Sequence, residues 1–177
     1  AVVLSGRCYE RERVPYRAID SLIDHLSSYW LSLPPEEARA ILPREAGLLP
    51  TLFPVLGRVP VCADAEGLVV VTRGASTADP QELRTRAFGA LRELFQRIAA
   101  RHHLVLFLDD MQWVDANTIA LLADVMRPPD PPAQLLLFSG RDESTEAARE
   151  LAAKVSELGR SVSERRPKRR RNSSVVP

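Results

Sequence analysis

Leu104-Val-Leu-Phe-Leu-Asp109-Asp110 is the stretch on which the fold turns. Five apolar residues in a row run into two carboxylates. A strand buried on both faces of a parallel sheet needs side chains that are apolar on both sides. Acids at its carboxyl end then fall on the sheet rim, where open α/β sheets bind their ligands. A hard cation such as Mg²⁺ wants carboxylate oxygens and water, so the acid pair suits a Mg²⁺–nucleotide site. At the tip of such a strand one of the two carboxylates, Asp109 or Asp110, can hold the cation, usually through water, and the adjacent one can orient or activate the water that attacks a terminal phosphate.

The surrounding segments supply the rest of an alternating pattern. Val2 to Leu4 read as a short strand broken at Ser5-Gly6, and the spacing of Ile19, Leu22, Ile23, Leu26 and Trp30 predicts a helix from Pro15 to about Leu33. Pro34-Pro35 ends that helix, and Pro35-Glu-Glu opens a short second one with acids in its first turn. Residues 43 to 80 are rich in proline and glycine; short helical turns are expected at Leu48–Leu56, and Leu68–Val71 reads as a strand or an apolar loop.

Asp79-Pro80-Gln-Glu has an acid cap and a first-turn proline, so a helix follows with Leu83, Phe88, Leu91, Leu94, Phe95 and Ile98 on one face. It ends near His102-His103, read as surface residues. Asn117 to Met126 is a further amphipathic helix, with Asp115 as its cap. Trp113 reads as a packing residue in the turn before it. Gln134 to Ser139 is a third strand, closed by Gly140-Arg141, and a last helix is expected from about Ser144 to Leu158. Strand and helix in alternation argue for a parallel sheet with right-handed crossovers. Neighbouring strand ends lie about 5 Å apart, so Ser139 and Arg141 are expected at the same rim as Asp109, where a hydroxyl and a guanidinium could sense a terminal phosphate.

Composition narrows the classes. Of 177 residues, 45% are hydrophobic and 27% charged, which is ordinary for a globular chain. No run approaches a membrane span. The start has no signal-peptide pattern and no initiator methionine, so the sequence reads as part of a longer protein. Cys8 and Cys62 read as unpaired thiols of a reducing, cytoplasmic protein. The net charge of +1 is uneven: from Arg160 onward seven basic residues face one acid, Glu164, for a net +6, which leaves the first 159 residues at −5. The division expected is therefore a domain over 1–159 and a basic, disordered tail over 160–177. An acidic body does not read as a nucleic-acid-binding fold, although the cluster Arg165 to Arg171 could touch phosphates by itself.

One expected part has no counterpart in these residues. The phosphate-cradling pattern G-x-x-x-x-G-K-[ST] does not occur; the only lysines are Lys154 and Lys168, and neither follows a glycine.

With those residues noted, the chain resembles the AAA-like ATPase module of the STAND class of signal-transduction NTPases. More narrowly, it looks like the ATPase region downstream of the kinase domain in large bacterial serine/threonine protein kinases; similar modules occur in LuxR-type transcription regulators and some adenylate cyclases. Three blocks carry the resemblance: Val3 to Glu10 with Val14-Pro-Tyr16 and the helix at Ala18; Leu104 to Asp115, similar to a Walker B block; and Leu135 to Arg141, which resembles a sensor strand. It covers about residues 1 to 155. It implies an α/β fold, an incomplete P-loop NTPase sandwich of three layers in which helices flank a parallel-sheet remnant. By the same resemblance Asp109 is the metal acid, Asp110 the second acid beside the catalytic water and Arg141 the sensor arginine. ATP and Mg²⁺ are the implied cofactors, and the parent's signalling domains the implied partners. It further implies that a phosphate loop would lie before Ala1, that its strand would pair beside Leu135–Phe138, and that the isolated chain is inactive. The competing expectation is a non-catalytic α/β interaction module that binds no nucleotide.

Overall fold

The computed structural model describes residues 1–10, 16–65 and 79–140, together with Arg149 and Ala153. The expected Leu68–Val71 segment, Arg141, the helix from Ser144 and the basic tail lie outside the described residues, Arg149 and Ala153 of that helix excepted.

A three-stranded parallel sheet organises the described chain. β1 (Val2–Arg7), β2 (Leu104–Asp109) and β3 (Gln134–Phe138) lie side by side in the order β1-β2-β3. The register pairs Val2 with Leu104 and Arg7 with Asp109 on one side of β2, and Leu104 with Gln134 and Leu108 with Phe138 on the other. β1 continues through Ser5 and Gly6, where the sequence predicts a break. Pairing with β2 holds the glycine extended, and the ladder runs on to Cys8, whose N–H donates to the Asp109 carbonyl at 3.0 Å.

Helices fill the crossovers. α1 (Arg17–Ser32) buries Ile19, Leu22, Ile23, Leu26 and Trp30. It stops where Leu33 turns extended, because the ring of Pro34 disfavours helical geometry at the residue before it. α2 (Pro35–Ala40) has proline in its first turn with Glu36 and Glu37, as its sequence predicts. The buried Trp30 Nε1–H donates to the Ala38 carbonyl at 3.0 Å and ties α2 back onto α1. Two 3₁₀ turns, Ala46–Leu48 and Pro54–Arg58, flank the one-turn α3 (Leu49–Leu52). α4 (Pro80–Ala99) starts on Asp79, whose carboxylate accepts from Gln81 N, and buries Phe88, Leu91, Leu94, Phe95 and Ile98. α5 (Ala116–Val125) starts on Asp115.

The two faces of the sheet differ. Leu4, Leu106 and Leu108 point into the core formed with the helices and are almost fully buried. On the opposite face Val3 is 60% exposed, Leu135 54% and Leu137 44%, with Val105 and Phe107 of β2 half-buried between them. β2 is therefore apolar on both sides, as expected, but closely covered on one; among the described residues no second helical layer closes over the outer face. The edges differ as well. Two of β1's outward N–H groups are taken by α1: Ser5 N–H donates to His25 Nδ1 at 3.3 Å and Arg7 N–H to Ser21 Oγ at 3.1 Å. β3 forms the other border, and no described strand pairs beyond it.

Candidate functional site

Parallel register sends alternate residues of all three strands to one face. Arg7, Asp109 and Ser139 thus form a polar row across the carboxyl ends of β1 and β2 and the residue after β3, above the open apolar rows of the outer face. Ser139 is held in line because its N–H donates to the Leu108 carbonyl at 2.9 Å and its carbonyl accepts from Met111 N–H at 3.0 Å.

Asp109 Oδ1 accepts from Ser139 Oγ–H and, at 3.0 Å, from Asp110 N–H. Its Oδ2 faces Arg7 Nε at 4.0 Å, and the side chain is 40% exposed. The two sequence candidates, Asp109 and Ser139, therefore meet as expected.

Asp110 leaves the strand by a left-handed turn, φ 58° and ψ 43°. For a residue with a side chain that conformation costs roughly 1–2 kcal/mol, and aspartate is among those that tolerate it best. The turn swings the carboxylate towards β1. Arg7 Nε donates to Oδ2 at 2.9 Å with Arg7 Nη2 2.8 Å from the same oxygen, and Gln112 Nε2 donates to Oδ1 at 3.0 Å. Both oxygens of the second acid are thus engaged, and its hydrogen bond holds the Arg7 guanidinium more firmly protonated than usual.

Sequence reasoning did not single out Arg7. The usable signal was the register: when two parallel strands end at one rim, the last residue of the first lies beside the last residue of the second.

Beneath the acids lies Cys8, a buried thiol. Burial, followed by the negative charges of Asp115, Asp110 and Asp109, pushes it up to about 12. Trp113, expected to pack, is 41% exposed, because the 3₁₀ turn Met111–Trp113 buries Met111 and turns the indole outward.

Residues 1–138 match the family model of the AAA ATPase domain. The chain belongs to that family. Comparison with curated proteins and with solved structures gives no match. In this AAA ATPase domain the parallel sheet with flanking helices fits a P-loop-type α/β fold. The family generally binds ATP with Mg²⁺.

The donor set at the rim fits such a cation in one way. Among the described residues no group of three His, Cys, Asp or Glu side chains could hold a metal alone. Mg²⁺ does not need one: it is commonly held by one or two carboxylates, water and substrate phosphates. Asp109 with the Ser139 hydroxyl offers hard oxygen donors of that kind. No described helix is long and apolar enough to cross a membrane.

Proposed function

We propose that this AAA ATPase domain is the acid-and-sensor half of a regulatory ATPase module in a signalling protein, of the kind attached to protein kinases or transcription regulators. The observation that carries the reading is the Ser139–Asp109 contact, which joins the ends of two neighbouring strands into one oxygen-rich corner. Asp109 is the metal acid and Ser139 the cofactor-facing hydroxyl; Asp110 is the acid that orients water. Arg141, next along the chain after Gly140, is the sensor arginine of this proposal. Bound Mg²⁺ would neutralise phosphate charge, and the chain's own part is to position oxygens for it.

Both Asp110 oxygens are engaged by Arg7 and Gln112, so in this reading the Arg7 pair opens when Asp110 orients water. Order and disorder around a terminal phosphate are a common basis for such switching. The competing reading, a non-catalytic interaction module, is favoured by one observation: these residues contain no glycine-lysine phosphate loop.

Titration calorimetry separates the two. The 177 residues alone are expected to show no Mg²⁺-dependent ATP binding, and the sequence encoded just before the Ala1 codon is expected to supply G-x-x-x-x-G-K-[ST]. Joined to that segment, the domain should bind ATP with Mg²⁺, and Asp109→Ala should weaken binding at least about tenfold, the scale of one lost charge-assisted contact. An extended chain that binds no ATP, or binds it equally well without the Asp109 carboxylate, sinks the ATPase reading.

A further inference from the structure

Asp115 does more than its sequence position implies. As a helix cap its Oδ1 accepts from Asn117 N–H at 3.0 Å and Thr118 N–H at 3.1 Å, while Oδ2 accepts from the Thr118 hydroxyl at 2.6 Å. The same Oδ1 also takes the N–H of Tyr16, 99 residues earlier, at 3.5 Å. Tyr16 is the residue on which α1 begins: its carbonyl accepts from Ile19 N–H at 2.8 Å and Asp20 N–H at 3.0 Å. One carboxylate therefore sits at the starts of two helices that enter from two different strands.

A second observation points to the same place. Among the described non-glycine residues, two have left-handed backbone, Tyr16 at φ 66° and Asp110 at φ 58°. Tyrosine tolerates that region poorly, and such strain persists only where the surroundings over-determine it. For Tyr16 the surroundings are the Asp115 contact and a buried ring set edge-on to Phe53 and Phe88, with centroids 6.2 and 5.9 Å away. For Asp110 they are Arg7 and Gln112. The two strained residues bracket the turn that ends at Asp115.

We propose that Asp115 is the positioning residue of the acid turn: by clamping the starts of α1 and α5 together, it fixes the far end of the turn and holds Asp110 in the left-handed conformation in which Arg7 and Gln112 reach it. The near end is already fixed, since Asp109 is in register with Arg7 and Met111 N–H is bonded to the Ser139 carbonyl. Between the ends runs a 3₁₀ turn, with Trp113 N–H donating to the Asp110 carbonyl at 3.0 Å and Val114 N–H to the Met111 carbonyl at 3.2 Å. A turn this short, anchored at both ends, ties the position of Asp115 to the geometry of the residues that follow Asp110. In this proposal, release of α1 from the clamp loosens the far end of the turn, leaving Asp110 held by its near end, Arg7 and Gln112 alone.

Two substitutions in the full chain separate the clamp from simple capping. Serine caps helices as well as aspartate does but is one bond shorter, too short to cap α5 and reach Tyr16 as well. Asparagine keeps an oxygen at the Oδ1 position. With Asp115→Ser, the Thr118 amide should stay protected from hydrogen exchange while the Tyr16 amide exchanges about tenfold faster. Emission of Trp113 should shift against the constant background of buried Trp30. Asp115→Asn should restore both signals. The proposal fails if the serine chain matches the parent protein, or if asparagine does not restore the signals. It also fails if Thr118 protection and the melting temperature fall in step with them. It borrows the purpose of Asp110 from the ATPase reading, yet its readouts need neither nucleotide nor cation, so either can fail while the other stands.

Discussion

At the scale of single residues, the rim is governed by how charge and burial compete. Asp109, Asp110 and Asp115 crowd one end of the sheet around the buried Cys8 thiol, which both burial and the three carboxylates keep protonated. The pH consequence has a definite sign. The folded chain keeps this proton up to about 12, whereas a free thiol gives it up near 9.0. Above pH 9 the unfolded chain therefore binds fewer protons, and stability falls as pH rises from 9 towards 12. The phenols of Tyr16 and Tyr29 are raised by burial and act in the same direction. Urea midpoints measured from pH 8 to 11 should decline, and Cys8→Ala should flatten the early part of that decline. In the native protein at pH 8, Cys8 should resist iodoacetamide. The acids were legible as a pair because they follow a run of apolar residues. The partner of Asp110 was not, because the Arg7 contact spans 103 residues and depends on which strands are neighbours.

At the scale of elements, local rules and tertiary pairing contributed differently. Asp79-Pro80 and Asp115 were legible as helix starts because a cap acts within three residues of itself. The length of β1 was not, since glycine reads as a breaker in isolation and only the ladder to β2 keeps it extended. Gly89 offers a test of local propensity inside α4. It sits in mid-helix, and a Cβ built there meets nothing within 4 Å. Glycine in a helix interior costs about 0.5–1 kcal/mol relative to alanine, with no clash here to offset the gain. Gly89→Ala should therefore raise the unfolding free energy by about that amount in chemical denaturation. A destabilised variant would show that the added methyl at position 89 is not free of contacts.

At the scale of the whole molecule, the unequal faces of the described sheet are expected to govern its association in solution. Val3, Leu135 and Leu137 present an apolar surface of the kind that soluble monomers usually cover. Leu135 and Leu137 project from β3, beyond which no described strand pairs. The expected result is concentration-dependent association of the 177-residue chain, seen as rising mass by light scattering across a dilution series. Replacing Leu135 and Leu137 together by lysine should abolish it without lowering the melting temperature, because neither side chain is in the core. A parent protein that stays monomeric at every concentration would count against the apolar surface as the cause.

The two borders of that sheet also set what kind of assembly is open to it. His25 and Ser21 occupy two main-chain N–H groups of β1, whereas β3 has no strand beyond it among the described residues. A sheet bare on both sides can stack head to tail and run on as a fibre. A sheet sealed on one side cannot, since each added copy would have to dock its bare border on a closed one. Copies can join only bare border to bare border, which is a twofold contact that uses itself up. Association through β3 is therefore expected to stop at a pair, with His25 and Ser21 of α1 occupying two N–H groups of the other border.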